Sequence, residues 1–533
     1  MPHLATPRAR PLATTALRTW LAALLALGAG AVRAGGIEFV VTRTDDPVPD
    51  ECRPGDCSLR EAMLAAEAND PFADADVIVL GPGTHALVRG PLDAVRQPLR
   101  VVGAGSPQTR IELGDDAYLF EAAENANLRL AGIEIASGDG VVVIHDGASA
   151  RLDDVVVADG HVSVGSGSNM TLRASTIRRT LYNHGELLVE DSAIFNLYQM
   201  SPQSGVPHAM VRRCHVDGAL HPDAALPSAM TIHAGTLEIE ASLLDGTTVR
   251  AMGASTTRIS DATVTEGEMS LVADGAELEL RRIHYIGNTG PVRAEAAATI
   301  TIEDSLFEDN PVRALYAAGS SEWNITGSSF VANQVDGNAG GAIVLEDTAA
   351  LRIRNSTFHG NGFSVAAAAD GARGGAIGFR NGAGARLVLQ HVTLVRPWVM
   401  PVGVVGTVLG GHGTGVTLDV SNTIVSGSCG FGAGVLQNNA GNIESPGNTC
   451  GLASGDNLVG VGSGDLALGT LGDHGGPTPT ILPAEGSVAI DGAGTPQCLE
   501  ADQRGFPRPG GARCDVGSVE ADADTLFADG FDG

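Results

Sequence analysis

Two groups of side chains have residue types that could cleave a polysaccharide. Asp153 and Asp154 are adjacent carboxylates that could serve as general acid and base, and Gly411-His412-Gly413 places a histidine between glycines. A hydrolytic site of this kind would also need a lysine, but all 33 basic residues are arginine. An eliminating enzyme would need a basic residue to take the proton, and arginine could fill that role. Both carboxylates fall in columns of a repeat in which turn formation and strand register explain them. We therefore predict no catalytic residue.

Three histidines, His208, His215 and His221, lie near an inserted segment at 196–232. Their spacing matches no metal-binding motif, and no EF-hand or calcium-repeat loop is recognisable. The formal net charge of −29 would attract calcium loosely and would repel nucleic acid and anionic lipid. We predict no cofactor, no metal site and no nucleic-acid partner, with calcium as the one cation that could associate with the surface.

The first 34 residues have the features of a secretory signal peptide. Three arginines precede a short apolar run from Leu21 to Ala29, and Val32-Arg33-Ala34 offers a cleavage site. The run is too short to cross a bilayer, and no later apolar stretch is long enough. We expect an exported bacterial protein, secreted or held at the cell surface, with no transmembrane segment in the mature chain.

Export permits disulfides, and six of the seven cysteines fall into pairs with short separations. These pairs are Cys52 with Cys57, Cys429 with Cys450, and Cys498 with Cys514. Cys214 is left over and falls in a repeat column that otherwise holds mainly serine. We predict that Cys214 is a buried, reduced thiol that fills a serine-sized slot, rather than a reactive or intermolecular one.

One pattern recurs through the middle of the chain: apolar-x-apolar, two turn-prone residues, a small or apolar residue, one free position, and an apolar residue. We name its second apolar residue the anchor. Most anchors follow one another at steps of 20 to 23 residues, and the position five residues after the anchor is large and apolar or aromatic throughout. The anchors are Leu130, Leu152, Leu172, Val189, Val211, Ile239, Ile259, Leu280, Ile302, Ile325, Ile353, Leu389 and Val420.

The columns of this alignment predict the shape of one coil. Position +2 after the anchor is rich in Asp, Asn and Gly, which tolerate left-handed backbone, so a sharp bend is expected there. Position +3 is an inward column of small residues. Position +1 is an outward column in which charges alternate, so neighbouring coils are expected to form ion pairs. Asp153, Arg173, Glu190, Arg212 and Glu240 begin it.

These columns favour an all-β fold, a right-handed parallel β-helix of the pectin-lyase-like type, with a helix-containing N-terminal cap. A β-propeller would need longer repeats, and a sandwich would need no registered columns. A leucine-rich solenoid would show an asparagine ladder and one helix per repeat, and neither is visible in the sequence.

The N-terminal part is expected to close the open end of the solenoid. Residues 37–42 alternate as a strand, and Ser58 to Ala66 is predicted to be a helix with Ser58 as N-cap and Glu61 completing a capping box. Cys57-Ser58-Leu59-Arg60-Glu61-Ala62 closely resembles the hallmark of the CSLREA-type N-terminal region of exported bacterial β-helix proteins.

The C-terminal part resembles the choice-of-anchor Q segment of such proteins, and its last residues resemble a short tail that often follows. The resemblance is carried by 475–480, 489–491, 502–509, 514–517 and, for the tail, 526–532. Arg504-Gly505-Phe506-Pro507-Arg508 superficially resembles a lyase signature, but it lies in this segment and we assign it no catalytic role. The resemblance implies the fold and export, and no established reaction.

A second resemblance is to the polymorphic outer-membrane protein family, which is linked to adhesion. Gly340-Gly341-Ala342-Ile343 and Gly374-Gly375-Ala376-Ile377 are similar to its GGAI motif, and 307–310, 330–333 and 358–361 are similar to its FxxN motif. We expect the paired glycines to form a tight corner, the phenylalanines to fill the core, and the asparagines to bond along the stack.

Five regions are expected: the signal peptide at 1–34, the cap and first coils at 35–125, the repeats at 126–428, C-terminal coils and cap at 429–520, and a tail at 521–533. The favoured function is non-enzymatic: adhesion or interaction at the cell surface, with a glycan or a surface protein as the extracellular ligand. The alternatives are a polysaccharide lyase or glycoside hydrolase, and a structural envelope protein. Only Trp323 and Trp398 remain after export, and this scarcity of aromatic platforms argues against an extended glycan groove.

Overall fold

A computed structural model describes residues 36–69, 74–114, 118–137, 140–200, 205–220, 228–271, 275–335, 339–363, 373–380, 384–397, 407–412, 415–430, 436–452, 456–494 and 498–521. The predicted signal peptide and residues 522–533 lie outside these ranges. Within them, 41 strands join one hydrogen-bonded sheet that winds around the chain axis, and its pairings are parallel.

Each coil contributes to three faces of the solenoid, which we name the first, second and third sheets in chain order. The first sheet holds the anchors. Its strands are Glu38–Val41, Asp76–Leu80, Leu99–Val102, Asn127–Ser137, Ser149–Val157, Asn169–Arg173, Glu186–Glu190, His208–Arg212, Gly235–Glu240, Ser255–Ser260, Glu277–Arg281, Thr299–Glu303, Glu322–Thr326, Ala350–Gly360, Arg386–Pro397, Thr417–Ser421 and Leu436–Ala440.

The strands Asn127–Ser137, Ser149–Val157, Ala350–Gly360 and Arg386–Pro397 continue through the bend into the second sheet. The other strands of the second sheet are Gly83–Leu87, Thr109–Leu113, Thr176–Asn183, Ala193–Gln199, His215–Asp217, Leu243–Asp245, Thr263–Thr265, His284–Ile286, Leu306–Glu308, Ser329–Val331, Ile424–Ser426 and Ile443–Ser445.

Two strands of the second sheet, Thr176–Asn183 and Ala193–Gln199, continue into the third sheet. The other strands of the third sheet are Tyr118–Ala122, Gly140–Ile144, His161–Val164, Ser228–Ile232, Thr247–Ala251, Glu268–Leu271, Val292–Ala294, Leu315–Ala317, Ile343–Leu345, Ile377–Arg380, Leu409–His412 and Cys429–Gly430. Outside the three sheets, Gln334–Val335 pairs with Gly362–Phe363, and Leu468–Gly472 pairs antiparallel with Thr480–Pro483.

The predicted register is confirmed at every step. Each anchor is the direct strand partner of the next, from Leu130 to Val420. The ladder also extends beyond the recognised repeats, because Phe39, Ile78 and Val101 precede Leu130 in the same column. Adjacent parallel strands lie about 4.8 Å apart, so each coil adds that length to the axis.

The predicted bend at position +2 is confirmed in all thirteen repeats, where the backbone is left-handed with φ between 43° and 66°. Four of these positions hold residues that rarely adopt this conformation: Ala174, Arg213, Ala241 and Arg282. The two arginines each form a bidentate ion pair with the aspartate of the preceding coil, Arg213 with Asp191 and Arg282 with Asp261. These pairs help to offset the strain of a left-handed arginine.

The alternating charges at position +1 pair as predicted around Glu190, which contacts Arg173 and Arg212 in the neighbouring coils. Burial alone would raise the pKa of Glu190, but the two guanidinium groups hold it below its ordinary value. Asp153 departs from the prediction. It pairs with Arg151 of its own strand at 2.6 Å, because that arginine is two residues away on the same face.

The small residues at position +3 form an inward hydrogen-bonded column. Each serine hydroxyl donates to the carbonyl two residues earlier and accepts a backbone N–H from the preceding coil. The Ser328 hydroxyl, for example, donates to the Thr326 carbonyl at 3.0 Å and accepts the N–H of Ser305 at 3.2 Å. Cys214 occupies this column, is free and is 4% exposed. Its thiol donates to the Arg212 carbonyl at 3.2 Å, and burial raises its pKa to about 11.

Aromatic rings and asparagines form a second inward ladder in the middle coils. The rings of Phe307, Phe330 and Phe358 stack with centroids 4.8 and 4.6 Å apart. Four asparagines beside them, Asn288, Asn310, Asn333 and Asn361, are fully buried or nearly so. The carboxamide oxygens of the last three each accept backbone and side-chain N–H groups from the preceding asparagine, and that of Asn288 accepts the N–H of Gly267. The expectation that the phenylalanines fill the core and that the asparagines bond along the stack is confirmed. These asparagines lie just after strands of the second sheet, so they do not indicate a leucine-rich repeat.

The N-terminal helix forms as predicted, over Leu59–Glu67. The Ser58 hydroxyl accepts the N–H of Glu61, and the Glu61 carboxylate accepts the N–H of Ser58 at 2.7 Å, which completes the capping box. Leu59, Ala62, Met63 and Ala66 pack into the main core, so the helix covers the first coils. No helix among the described residues is long and apolar enough to cross a membrane.

The C-terminal segment at 456–521 lies along the side of the coils whose anchors are Ile325 to Val420. Polar side chains of the second sheet and its bends bond to it: Ser329 to Pro479, Thr357 to Gln503, Thr393 to Ser518, and Asn422 to Gly494. These hydroxyl and amide groups hold the segment against the side of the coils. The disulfides of the structure join Cys52 to Cys57, Cys429 to Cys450 and Cys498 to Cys514.

Candidate binding surface

The side chains considered for catalysis have structural partners. Asp153 is held by Arg151, and Asp154 occupies a bend with φ 53°. Arg504 is buried against Asp502 at 2.8 Å, which supports our rejection of the lyase-like signature. The side chain of His412 lies outside the described part of the structure.

Two of the three clustered histidines are described, and they do not meet each other. His208 contacts Glu186 at 3.1 Å. His215, Asp217 and Asp245 bring one potential ligand atom each to within 4.8 Å of one another, because Asp217 and Asp245 are direct strand partners. All three side chains are partly exposed, and we treat this as an acidic surface cluster without a metal assignment. His221 lies outside the described residues.

A row of aromatic side chains follows the outward face of the third sheet through the N-terminal half of the solenoid. The rings belong to Tyr118, His161, Tyr182, Tyr198 and His233, and successive centroids are 6.4, 5.3, 6.0 and 5.0 Å apart. Neighbouring rings meet edge to face, at interplanar angles of 62° to 90°. Tyr118 is 48% exposed and the others are partly exposed, so the row forms part of the surface. We name it the tyrosine row.

The scarcity of tryptophan in the sequence argued against an extended glycan groove. The tyrosine row was missed because its members lie at different distances from their anchors. Tyr182 and Tyr198 are direct strand partners, but a bulge between Ile177 and Thr180 adds a residue to one coil. The anchor-based alignment therefore places the two tyrosines in different columns. A separate alignment of the third strand of each coil would have revealed them.

The outward face of the third sheet carries arginines in the coils that follow the tyrosine row. The column that holds Tyr198 continues through Thr231 and Arg250 to Arg293 and Tyr316. Arg250 is exposed, and the guanidinium of Arg293 lies over the ring of Tyr316 at 4.7 Å from its centroid. One face of a strongly acidic protein thus carries aromatic and cationic groups in register.

Residues 230–384 match the family model described as the right handed beta helix region. This match and the strand topology show a right-handed parallel β-helix. No curated protein matches the chain.

Two of the solved structures that match the chain do so at low identity and low TM-score. One is ORF18 of Geobacillus virus E2, with 11% identity and a TM-score of 0.23, over 66% of this chain and 61% of that one. This chain therefore spans 61% of the viral protein's length. The other is the crystal structure of pectate lyase Pel9A, with 11% identity and a TM-score of 0.21, over 92% of this chain and 98% of that one. Neither likeness supports an argument about activity.

Proposed function

We propose that the protein is an exported bacterial β-helix, associated with the cell surface, that binds an extracellular glycan along its third sheet without cleaving it. The tyrosine row carries the proposal. Tyrosine offers a broad apolar ring with a polar tip at low entropic cost, which suits a ligand with apolar faces and many hydroxyl groups. The resemblance to CSLREA-type and choice-of-anchor Q proteins supports export and surface association.

The repeat of the fold supports a chain-like ligand. Neighbouring ring centroids of the tyrosine row are 5.0 to 6.4 Å apart, a distance comparable with the advance of one sugar unit along an extended polysaccharide. Several weak ring–sugar contacts can then form at once, and their combined effect exceeds that of each alone. An adhesive function needs such a repeated surface and no reactive group.

Replacement of Tyr182 by serine together with Tyr198 by threonine is expected to weaken glycan binding by about thirtyfold, as for the loss of two interface tyrosines. The neighbouring positions of the same column hold Ser163 and Thr231, so both substitutions fit the sheet. The measurement is the affinity of the mature chain for a panel of neutral and acidic polysaccharides, with reducing ends and unsaturated products followed in parallel.

The matched control is Phe506→Ala, which removes an aromatic side chain that is 46% exposed in the C-terminal segment. It should leave glycan affinity unchanged. Binding that is insensitive to the tyrosine substitutions would contradict the proposal, as would depolymerisation of any member of the panel. Absence of binding across the panel would favour a structural role in the envelope.

A further inference from the structure

Arg313 stands alone in a column of glycines. Val292, Leu315, Ile343 and Ile377 are successive strand partners in the third sheet. The residues two positions before them are Gly290, Arg313, Gly341 and Gly375. Arg313 has a left-handed backbone with φ 88°, which suits glycine and is costly for arginine. This coil therefore has a long cationic side chain at a position where the adjoining coils have glycine, which has no side chain.

No described residue forms an ion pair with Arg313, whose Nε donates only to the carbonyl of Val312 at 3.2 Å. Arg293 pairs with Glu295, and Arg380 pairs with Glu346. The Tyr316 hydroxyl donates to the same Glu346 carboxylate at 2.7 Å, so that acid already has two partners. The Nη1 atom of Arg313 is buried and has no hydrogen-bond partner among the described residues. A buried guanidinium nitrogen without a partner costs free energy that a bound anion would recover.

The electrostatic surroundings of Arg313 are positive. Burial lowers the pKa of Arg313 to about 10, the charge of Arg380 acts in the same direction, and Glu346 opposes both. Arg313 still carries its charge at neutral pH. We name the side chains of Arg293, Arg313, Arg380, Glu295 and Glu346 the arginine cluster; its three guanidinium groups outnumber its two carboxylates, on a protein whose formal charge is −29.

We propose that the arginine cluster binds the carboxylate of a uronic-acid unit in an acidic glycan, with Arg313 as the principal donor. The inference rests on the proposed function and names the class of glycan. A planar guanidinium can donate two parallel N–H bonds to a carboxylate. The cluster lies on the face that carries the tyrosine row, and five strand steps separate Tyr198 from Tyr316. At 4.8 Å per step this is about 24 Å, so one extended chain can contact both.

The test uses Arg313→Gly, because glycine suits the left-handed backbone and is the residue of the adjoining coils. Arg129→Gln is the matched control, since it removes an exposed arginine from the first sheet. Affinities of both variants and of the unaltered mature chain are measured by calorimetry. The probes are oligoglucuronates, neutral glucose oligosaccharides of equal length, and a sulfated oligosaccharide of matched charge.

Arg313→Gly is expected to weaken oligoglucuronate binding by about ten- to a hundredfold, the loss of one charged hydrogen-bonded pair. Binding of the neutral probe should not change, and Arg129→Gln should leave all affinities near those of the unaltered chain. Stronger binding of the sulfated probe than of the uronate would overturn the assignment to a carboxylate.

Two failures can be told apart. Oligoglucuronate binding that falls in the Tyr182 and Tyr198 variant but not in Arg313→Gly would overturn the arginine cluster and leave the proposed function intact. Lack of binding of every probe to the unaltered chain would overturn both proposals.

Discussion

Replacing Asn333 by alanine is expected to lower the free energy of unfolding by about 3–5 kcal/mol, because it removes the centre of a buried polar ladder. The Asn333 carboxamide oxygen accepts the side-chain amide of Asn310 at 2.7 Å, and its own amide donates to the Phe307 carbonyl at 2.9 Å. Alanine leaves these groups buried and unpaired, and also leaves a small cavity beneath the phenylalanine stack.

Urea unfolding of the mature chain measures this loss. Trp323 is 1% exposed in the same coil as Asn333, so its fluorescence reports unfolding close to the substitution. Asn324→Ala is the control, because that asparagine is exposed on the adjacent strand. A change in stability as small as that of the control would show that the ladder is not a principal stabilising element.

Replacing Arg508 by alanine is expected to destabilise the docked C-terminal segment by about 3–5 kcal/mol, since it leaves a buried carboxylate without its cation. Arg508 is fully buried and pairs with Glu520, and it also donates to the carbonyls of Asp515 at 3.1 Å and Gly517 at 2.9 Å. Burial lowers the pKa of Arg508, and the charge of Glu520 opposes that shift, so the carboxylate helps to keep the buried guanidinium charged.

Hydrogen exchange read by mass spectrometry should show faster exchange at 456–521 in this variant, with the β-helix coils little affected. Arg258→Ala is the control, because it breaks an exposed pair with Glu279 that contributes about 0–1 kcal/mol. The double variant Arg508→Met with Glu520→Leu should recover part of the loss by removing both charges. Unchanged exchange in Arg508→Ala would mean that the pair does not hold the segment.

The sequence predicts the first and second sheets well because their inward positions repeat with few exceptions. Leu130 to Val420 form a single column, and every bend falls at the predicted position. Inward packing tolerates little variation in residue size, so the core leaves a clear periodic signal. The capping box at Ser58 and Glu61 could also be predicted from the sequence, because its two hydrogen bonds depend only on a spacing of three residues.

The candidate surface was not predictable in the same way. Outward positions of the third sheet are not constrained by packing, and loops and a bulge change their distance from the anchors. Tyr182 and Tyr198 become neighbours only once the coils are stacked. The isolation of Arg313 among glycines likewise depends on strand partners that lie 23 to 34 residues apart in the sequence.

The path of the C-terminal segment was also beyond sequence reasoning. The hydroxyls of Ser329, Thr357 and Thr393 look like ordinary outward residues of a strand, but in the structure they are buried beneath the segment. Their role depends on contacts between residues more than a hundred positions apart, which no local pattern records.

Hydroxyl-radical footprinting of residues 35–533 with and without a polyuronate tests the central claim most directly, because it locates the bound glycan on the surface. We predict protection of Tyr118, Tyr182, Tyr198 and Tyr316 on the third sheet, no protection of Phe506, and a polymer of unchanged length. Protection confined to the first sheet or to the C-terminal segment, or shortening of the polymer, would contradict the account.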